Sequence, residues 1–74
     1  MDGFITIKNC TFNLNEIKRV YSESYEGGKV RLYIELIRRS ESKDLFHYEI
    51  GKDISTQEAL QIQEFFYDRS LLVI

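Results

Sequence analysis

Acyl or phosphoryl chemistry needs a nucleophile beside a base, and this chain offers one cysteine, Cys10, and one histidine, His47. Cys10 falls on the apolar parity of "CTFNL" (10–14), where a free cysteine behaves as a small buried hydrophobe. His47 sits between Phe46 and Tyr48 in a strand-like run, so it faces away from both. Active sites need several groups converging in one pocket, and a helix laid across one face of a small sheet leaves little room for one. No catalytic residue is assigned, and the chain reads as a non-enzyme. A single His, a single Cys and scattered carboxylates supply no metal-ligand spacing, so neither metal nor cofactor is expected. Gly27-Gly28 lacks the longer glycine pattern and the following helix of a phosphate loop, and reads as a turn.

Two surfaces could recognise a macromolecule. Lys18, Arg19, Lys29, Arg31, Arg38, Arg39 and Lys43 crowd the middle of the chain, with Tyr33 among them. Arg31, Tyr33 and Arg39 on an open sheet face could stack bases and track phosphates of a single strand. Glu35 and Glu49 fall on the same face, however, and the formal charge is −2, which gives no global attraction for nucleic acid or an anionic membrane. The second surface is a stripe on the C-terminal helix: Leu60, Tyr67 and Leu71 recur seven and four residues apart, well away from Ile62 and Phe66 at about 100° per residue. With Ile74 at the end of an apolar tail, they leave more apolar surface than one helix can cover. Clustered exposed apolar groups mark contact sites. The preferred expectation is therefore a non-catalytic interaction or accessory protein that binds another protein, or itself as a homodimer, through a sheet face or helix stripe. Leu60, Tyr67, Leu71 and Ile74 are its candidate residues. Single-stranded nucleic-acid binding by Arg31, Tyr33 and Arg39 is the alternative.

These residues must be positioned by a small scaffold. Seventy-four residues make one domain, 1–74, and a chain of that length buries only about 60% of its unfolded surface. At 43% hydrophobic and 30% charged residues it carries enough apolar side chain to fold. Ten Tyr and Phe with no proline favour sheet. "FITIK" (4–8) and "CTFNL" (10–14) read as strands about a tight turn or bulge at Asn9, and "NLNEI" (13–17) as a turn with 3₁₀ character before the strand "KRVYSESY" (18–25).

Gly27-Gly28 suits the two positive φ angles of a type I′ turn. Closing there pairs Glu26 with Lys29, Tyr25 with Val30, Glu23 with Leu32, Tyr21 with Ile34 and Arg19 with Leu36. Tyr21 and Tyr25 then join Val30, Leu32, Ile34 and Leu36 on the core face, and Lys18, Lys29, Arg31, Tyr33, Ile37, Arg39 and His47 take the other. A loop at Glu41–Lys43 brings in "LFHYEI" (45–50), pairing Leu36 with Tyr48 and Ile34 with Ile50, and setting Glu35 unfavourably opposite Glu49. Gly51 stops that strand. Ser55 and Glu58 fit a capping box for a helix through "DISTQEALQIQEFFYDRSLL", with Ala59, Ile62, Phe65 and Phe66 on its buried side. The apolar "LLVI" (71–74) could finish the helix, add an edge strand or meet another chain.

The expected fold is α+β: a small antiparallel β-meander of four to five strands with one C-terminal helix packed on one face. Strand meanders closed by one helix recur in many unrelated adaptors and in phage or bacterial accessory proteins, and likeness at that level does not transfer function. No apolar run reaches the roughly 20 residues needed to span a bilayer. The acidic, short N-terminus does not read as a secretory signal, and a lone cysteine forms no internal disulfide. A cytoplasmic protein is expected, and the start at Met1 without a tag reads as a complete small gene product.

Overall fold

Short β-rich runs broken by turn residues become short strands. The computed structural model describes residues 3–37, 45–69 and 72–73. Strands β1 (Phe4–Ile7) and β2 (Cys10–Asn13) pair antiparallel as a sheet of their own. The left-handed residue of their turn is Lys8, at φ 57°, rather than Asn9. A single 3₁₀ turn at Leu14–Glu16 follows, started by the Asn13 side chain accepting from the Asn15 amide at 2.9 Å. Strands β3 (Ile17–Tyr25), β4 (Lys29–Leu36) and β5 (Leu45–Glu49) then run antiparallel in chain order. The helix α1 (Thr56–Tyr67) comes next, and β6 (Leu72–Val73) adds a parallel edge to β3, giving the order β5-β4-β3-β6. The α+β architecture is the expected one, with its five antiparallel strands divided over two sheets.

The capping box forms as read. Ser55 Oγ accepts from the Glu58 amide at 3.0 Å, and the Glu58 carboxylate accepts from the Ser55 amide at 3.3 Å. The helix stops at Tyr67 rather than running on through Leu72. Arg69 closes that end, donating to the Phe65 carbonyl at 3.0 Å with its guanidinium over the Phe65 ring. Of the alternatives for the tail, Leu72-Val73 takes the edge strand.

One core joins both sheets and the helix. Val20, Leu32 and Ile34 from the larger sheet are fully buried against Ile7, Phe12 and Leu14 of the small hairpin region and Ala59 and Phe66 of α1. Strand alternation explains the sidedness: residues two apart share a face, so Leu32, Ile34 and Leu36 align with Phe46 and Tyr48 on β5. Phe12 meets Phe46 edge-on at 5.1 Å, and the Tyr48 hydroxyl donates to the Ile7 carbonyl at 3.5 Å. Both the β1–β2 hairpin and α1 thus cover the same side of the larger sheet.

The β3–β4 register corrects the sequence expectation by one residue. Both glycines take left-handed φ, 63° and 86°, as expected, but Glu26 at φ 23° stays in the loop with them. The ladder closes at Tyr25 and Lys29, and Tyr21 faces Tyr33, Val20 faces Ile34 and Arg19 faces Glu35. Tyr21 and Val30 therefore lie on opposite sides of the sheet, and both Tyr21 and Tyr25 leave the core row. Val20 takes the inner position instead, and a bulge between Ile17 and Arg19 lets Ile17 also turn inward. Near the glycine loop the sheet extends past its cover: Ser22 and Ser24 lie on the core side yet are exposed. No apolar ring is required where nothing packs.

The β4–β5 register also differs. Leu32 faces Tyr48 and Ile34 faces Phe46, a shift of four residues that keeps every side chain on its expected face. Glu35 does not oppose Glu49: Arg31 stands opposite Glu49, and Glu35 lies between Arg19 and Leu45. His47 neighbours Tyr33 rather than Ile37. The expected loop at Glu41–Lys43 lies outside the described residues.

Candidate binding face on the outer sheet

The side of the larger sheet turned away from the core carries three rows across β3, β4 and β5. They are Arg19–Glu35–Leu45, Tyr21–Tyr33–His47 and Glu23–Arg31–Glu49, followed by Tyr25–Lys29 beside the glycine loop. Register alone sets this pattern, because cross-strand neighbours stand about 5 Å apart on one face.

The middle row holds a stacked tyrosine pair with a tilted histidine beside it. Tyr21 and Tyr33 lie 5.1 Å apart at 14° between planes, too close for rings lying flat side by side, so their faces overlap. Tyr33 continues to His47 at 6.0 Å and 51°, and the Arg19 guanidinium lies 4.8 Å over the Tyr21 ring. The stacking axis runs across the strands.

The charges of the Arg19–Glu35 row are paired in place. Glu35 accepts from the Arg19 guanidinium and lies 4.0 Å from Lys18 Nζ. That carboxylate raises the Arg19 pKa above its ordinary value, chiefly by the hydrogen bond. Arg31 stands between Glu23 and Glu49 with its guanidinium 3.8 Å over the Tyr25 ring. Its pKa is raised too, first by the Tyr33 side chain. The Tyr25 hydroxyl donates to Glu49, and that bond raises the Tyr25 pKa above the usual phenol range.

The expected site residues are distributed as follows. Arg31 and Tyr33 share the outer face, and Arg39 lies outside the described residues. Leu60 and Tyr67 are 60% and 62% exposed on α1, away from the sheet, while Leu71 and Ile74 lie outside the described residues. Cys10 lines a cavity of about 190 Å³ with Phe12, Glu16, Leu36 and Phe46. His47 borders a separate open cleft of about 400 Å³ with Lys8, Lys52 and Asp53, so the structure does not bring the two together. Among the described residues no three His, Cys, Asp or Glu side chains group as a metal site, and no helix is long and apolar enough to cross a membrane.

Arg19, Tyr21, Glu23 and Tyr25 are members of this face that sequence reasoning placed elsewhere or left unassigned. A signal for them was present. "RVYSE" (19–23) and "RLYIE" (31–35) both spell Arg-x-Tyr-x-Glu. On antiparallel strands the two copies mesh only if tyrosine meets tyrosine and each arginine meets a glutamate, which is the observed register.

No protein-family model matches the chain, and neither a curated protein nor a solved structure matches it.

Proposed function

We propose that the protein is a non-catalytic interaction module that binds another protein chain through the outer face of its larger sheet. What supports this is the stacked Tyr21–Tyr33 pair with His47 beside it, flanked by Arg19 and Arg31, on a face that neither the helix nor the small hairpin covers. Tyrosine and arginine dominate the energetic centres of protein interfaces, because each combines a flat apolar body with a polar tip. The stack also holds these rings in place before binding, which lowers the entropy lost on association. A cytoplasmic setting accords with a lone cysteine that has no internal partner.

Single-stranded nucleic acid is less well served. Base stacking needs a free ring face, and here the Tyr33 ring is flanked by Tyr21 and His47 and the Tyr21 ring by Tyr33 and Arg19. Phosphates need free cations, and Arg19 is already bonded to Glu35 while the Arg31 guanidinium is held over the Tyr25 ring.

The test is affinity capture from the source cell with the native chain and a Tyr21→Ala/Tyr33→Ala variant whose fold is checked by circular dichroism. A specific protein retained at high salt by the native chain and lost by the variant is expected. Retention by the variant, with loss on Leu60→Glu/Tyr67→Glu, would move the site to the helix stripe. Salt-sensitive binding of oligonucleotides in anisotropy titrations, weakened by Tyr33→Ala, would replace the protein reading with the nucleic-acid one.

A further inference from the structure

We infer that the partner this face fits is a second copy of the same chain, laid sheet against sheet about a two-fold axis. The inference rests on the outer face being the binding surface and goes on to name its occupant.

The four charges around the tyrosine pair form a checkerboard. Arg19 stands opposite Glu35, and Glu23 opposite Arg31, with Tyr21 opposite Tyr33 between them. Along each strand the sign reverses across the tyrosine; across the strands it reverses again. Turning such a pattern over about an axis parallel to the strands, midway between β3 and β4, sets Arg19 on the second copy's Glu35, Glu23 on its Arg31 and Tyr21 on its Tyr33. An axis running across the strands through the tyrosine row sets Arg19 on the second copy's Glu23 and Glu35 on its Arg31. Every one of these contacts joins opposite charges. A surface whose own rotation supplies its complement is what an isologous dimer requires. Against an arbitrary partner no such match is guaranteed.

The aromatic row fits the same occupant. Tyrosine hydroxyls both donate and accept, so hydroxyls brought together across a two-fold axis can bond one another and none need be stranded on burial. Two sheets facing each other with aligned strands is a standard packing geometry.

The patch is small. Three strands spaced about 4.8 Å apart and rows about 7 Å apart give a footprint of roughly 15 × 20 Å. That is about 300 Å² per copy and about 600 Å² in total, below the ~1,200 Å² at which stable specific interfaces begin, so the dimer is a weak one that should dissociate readily on dilution.

Sedimentation velocity from roughly 10 μM to 1 mM, a span of about 3 kcal/mol in binding free energy, tests this on the intact chain. The sedimentation coefficient should rise with concentration. Amide shifts that change on dilution should centre on Arg19, Tyr21, Glu23, Arg31, Tyr33 and Glu35. Tyr21→Ala/Tyr33→Ala should raise the dissociation constant more than ~10-fold. The sixfold inversion Lys18→Glu, Arg19→Glu, Glu23→Arg, Arg31→Glu, Glu35→Arg and Glu49→Arg keeps opposite charges facing one another within the chain and should self-associate like the native protein. Mixed with native chain it should form no heterodimer, since like charges would then meet. A monomer at all concentrations overturns the inference, as do dilution shifts confined to Leu60–Tyr67 or to the β5 edge. In the monomer case, loss of a different captured protein by Tyr21→Ala/Tyr33→Ala leaves the binding face standing and removes only its self-pairing. If that variant loses nothing, both fail together.

Discussion

Phe66→Ala probes whether α1 is held by one face, which decides what its other face is free to do. Phe66 is fully buried, sits edge-on to Phe65 at 5.2 Å, and belongs to the cluster that joins the helix to both sheets. A buried phenylalanine removes about 150–250 Å² from water, which at ~25 cal/mol per Å² is roughly 4–6 kcal/mol. Alanine retains part of that, while the cavity left behind adds a further cost, so the net loss should be about 4 kcal/mol, within the range of 3–5 for such truncations. A chain of this length has a total stability of roughly 4–11 kcal/mol. The variant should therefore fold marginally, with Tm lowered by roughly 15–30 °C. Its neighbour Tyr67 is 62% exposed, and Tyr67→Ala should change stability by no more than about 0.5 kcal/mol. Urea titrations followed by far-ultraviolet circular dichroism measure both, with the m-value reporting whether the unfolded state has changed. Comparable losses from the two variants, or a loss below about 1.5 kcal/mol for Phe66→Ala, would refute the helix docking described above and with it the claim that Leu60 and Tyr67 face solvent.

Two further predictions concern the sheet. Deleting Glu26 should raise stability by about 0.5–1.5 kcal/mol, because it removes a non-glycine residue from a left-handed conformation and leaves Gly27-Gly28 to close the existing Tyr25–Lys29 pair as a two-residue turn. A lower Tm, or altered amide shifts at Tyr21 and Tyr33, would show that Glu26 sets the register rather than straining it. Burial pushes the Tyr48 phenol up from about 10 to about 12, with Cys10 adding to the shift. The unfolded chain therefore releases this proton first, so the stabilising contribution is complete below pH 10 and is lost as pH rises toward 12. Urea midpoints across that window should fall more steeply for the native chain than for Tyr48→Phe, and parallel slopes would refute the assignment.

Local chemistry made much of this molecule legible in advance. Ser55 and Glu58 cap the helix because both groups lie within one turn of the same orphan amides. Gly27 and Gly28 take positive φ because they lack a Cβ, and the 3₁₀ turn and most strand limits follow from short-range patterns. The faces of β4 and β5 were also readable, since only the even-numbered residues there are consistently apolar. The face of β3 was not. Val20 competes with Tyr21 and Tyr25 for the inner side, and one valine among serines against two rings among charges leaves the local pattern ambiguous. What decides it is how far the cover reaches: α1 and the β1–β2 hairpin bury Val20 completely but stop short of Ser22 and Ser24. Beyond that limit an inward ring would gain no burial, whereas outward it gains a stacked neighbour and two arginine–glutamate rows. The parallel edge of Leu72-Val73 on β3 is likewise a pairing across half the chain, invisible to any local pattern. Sequence determined the elements and where the chain reverses between them. Tertiary structure determined which aromatic residues meet the solvent, because burial depends on what another part of the chain covers.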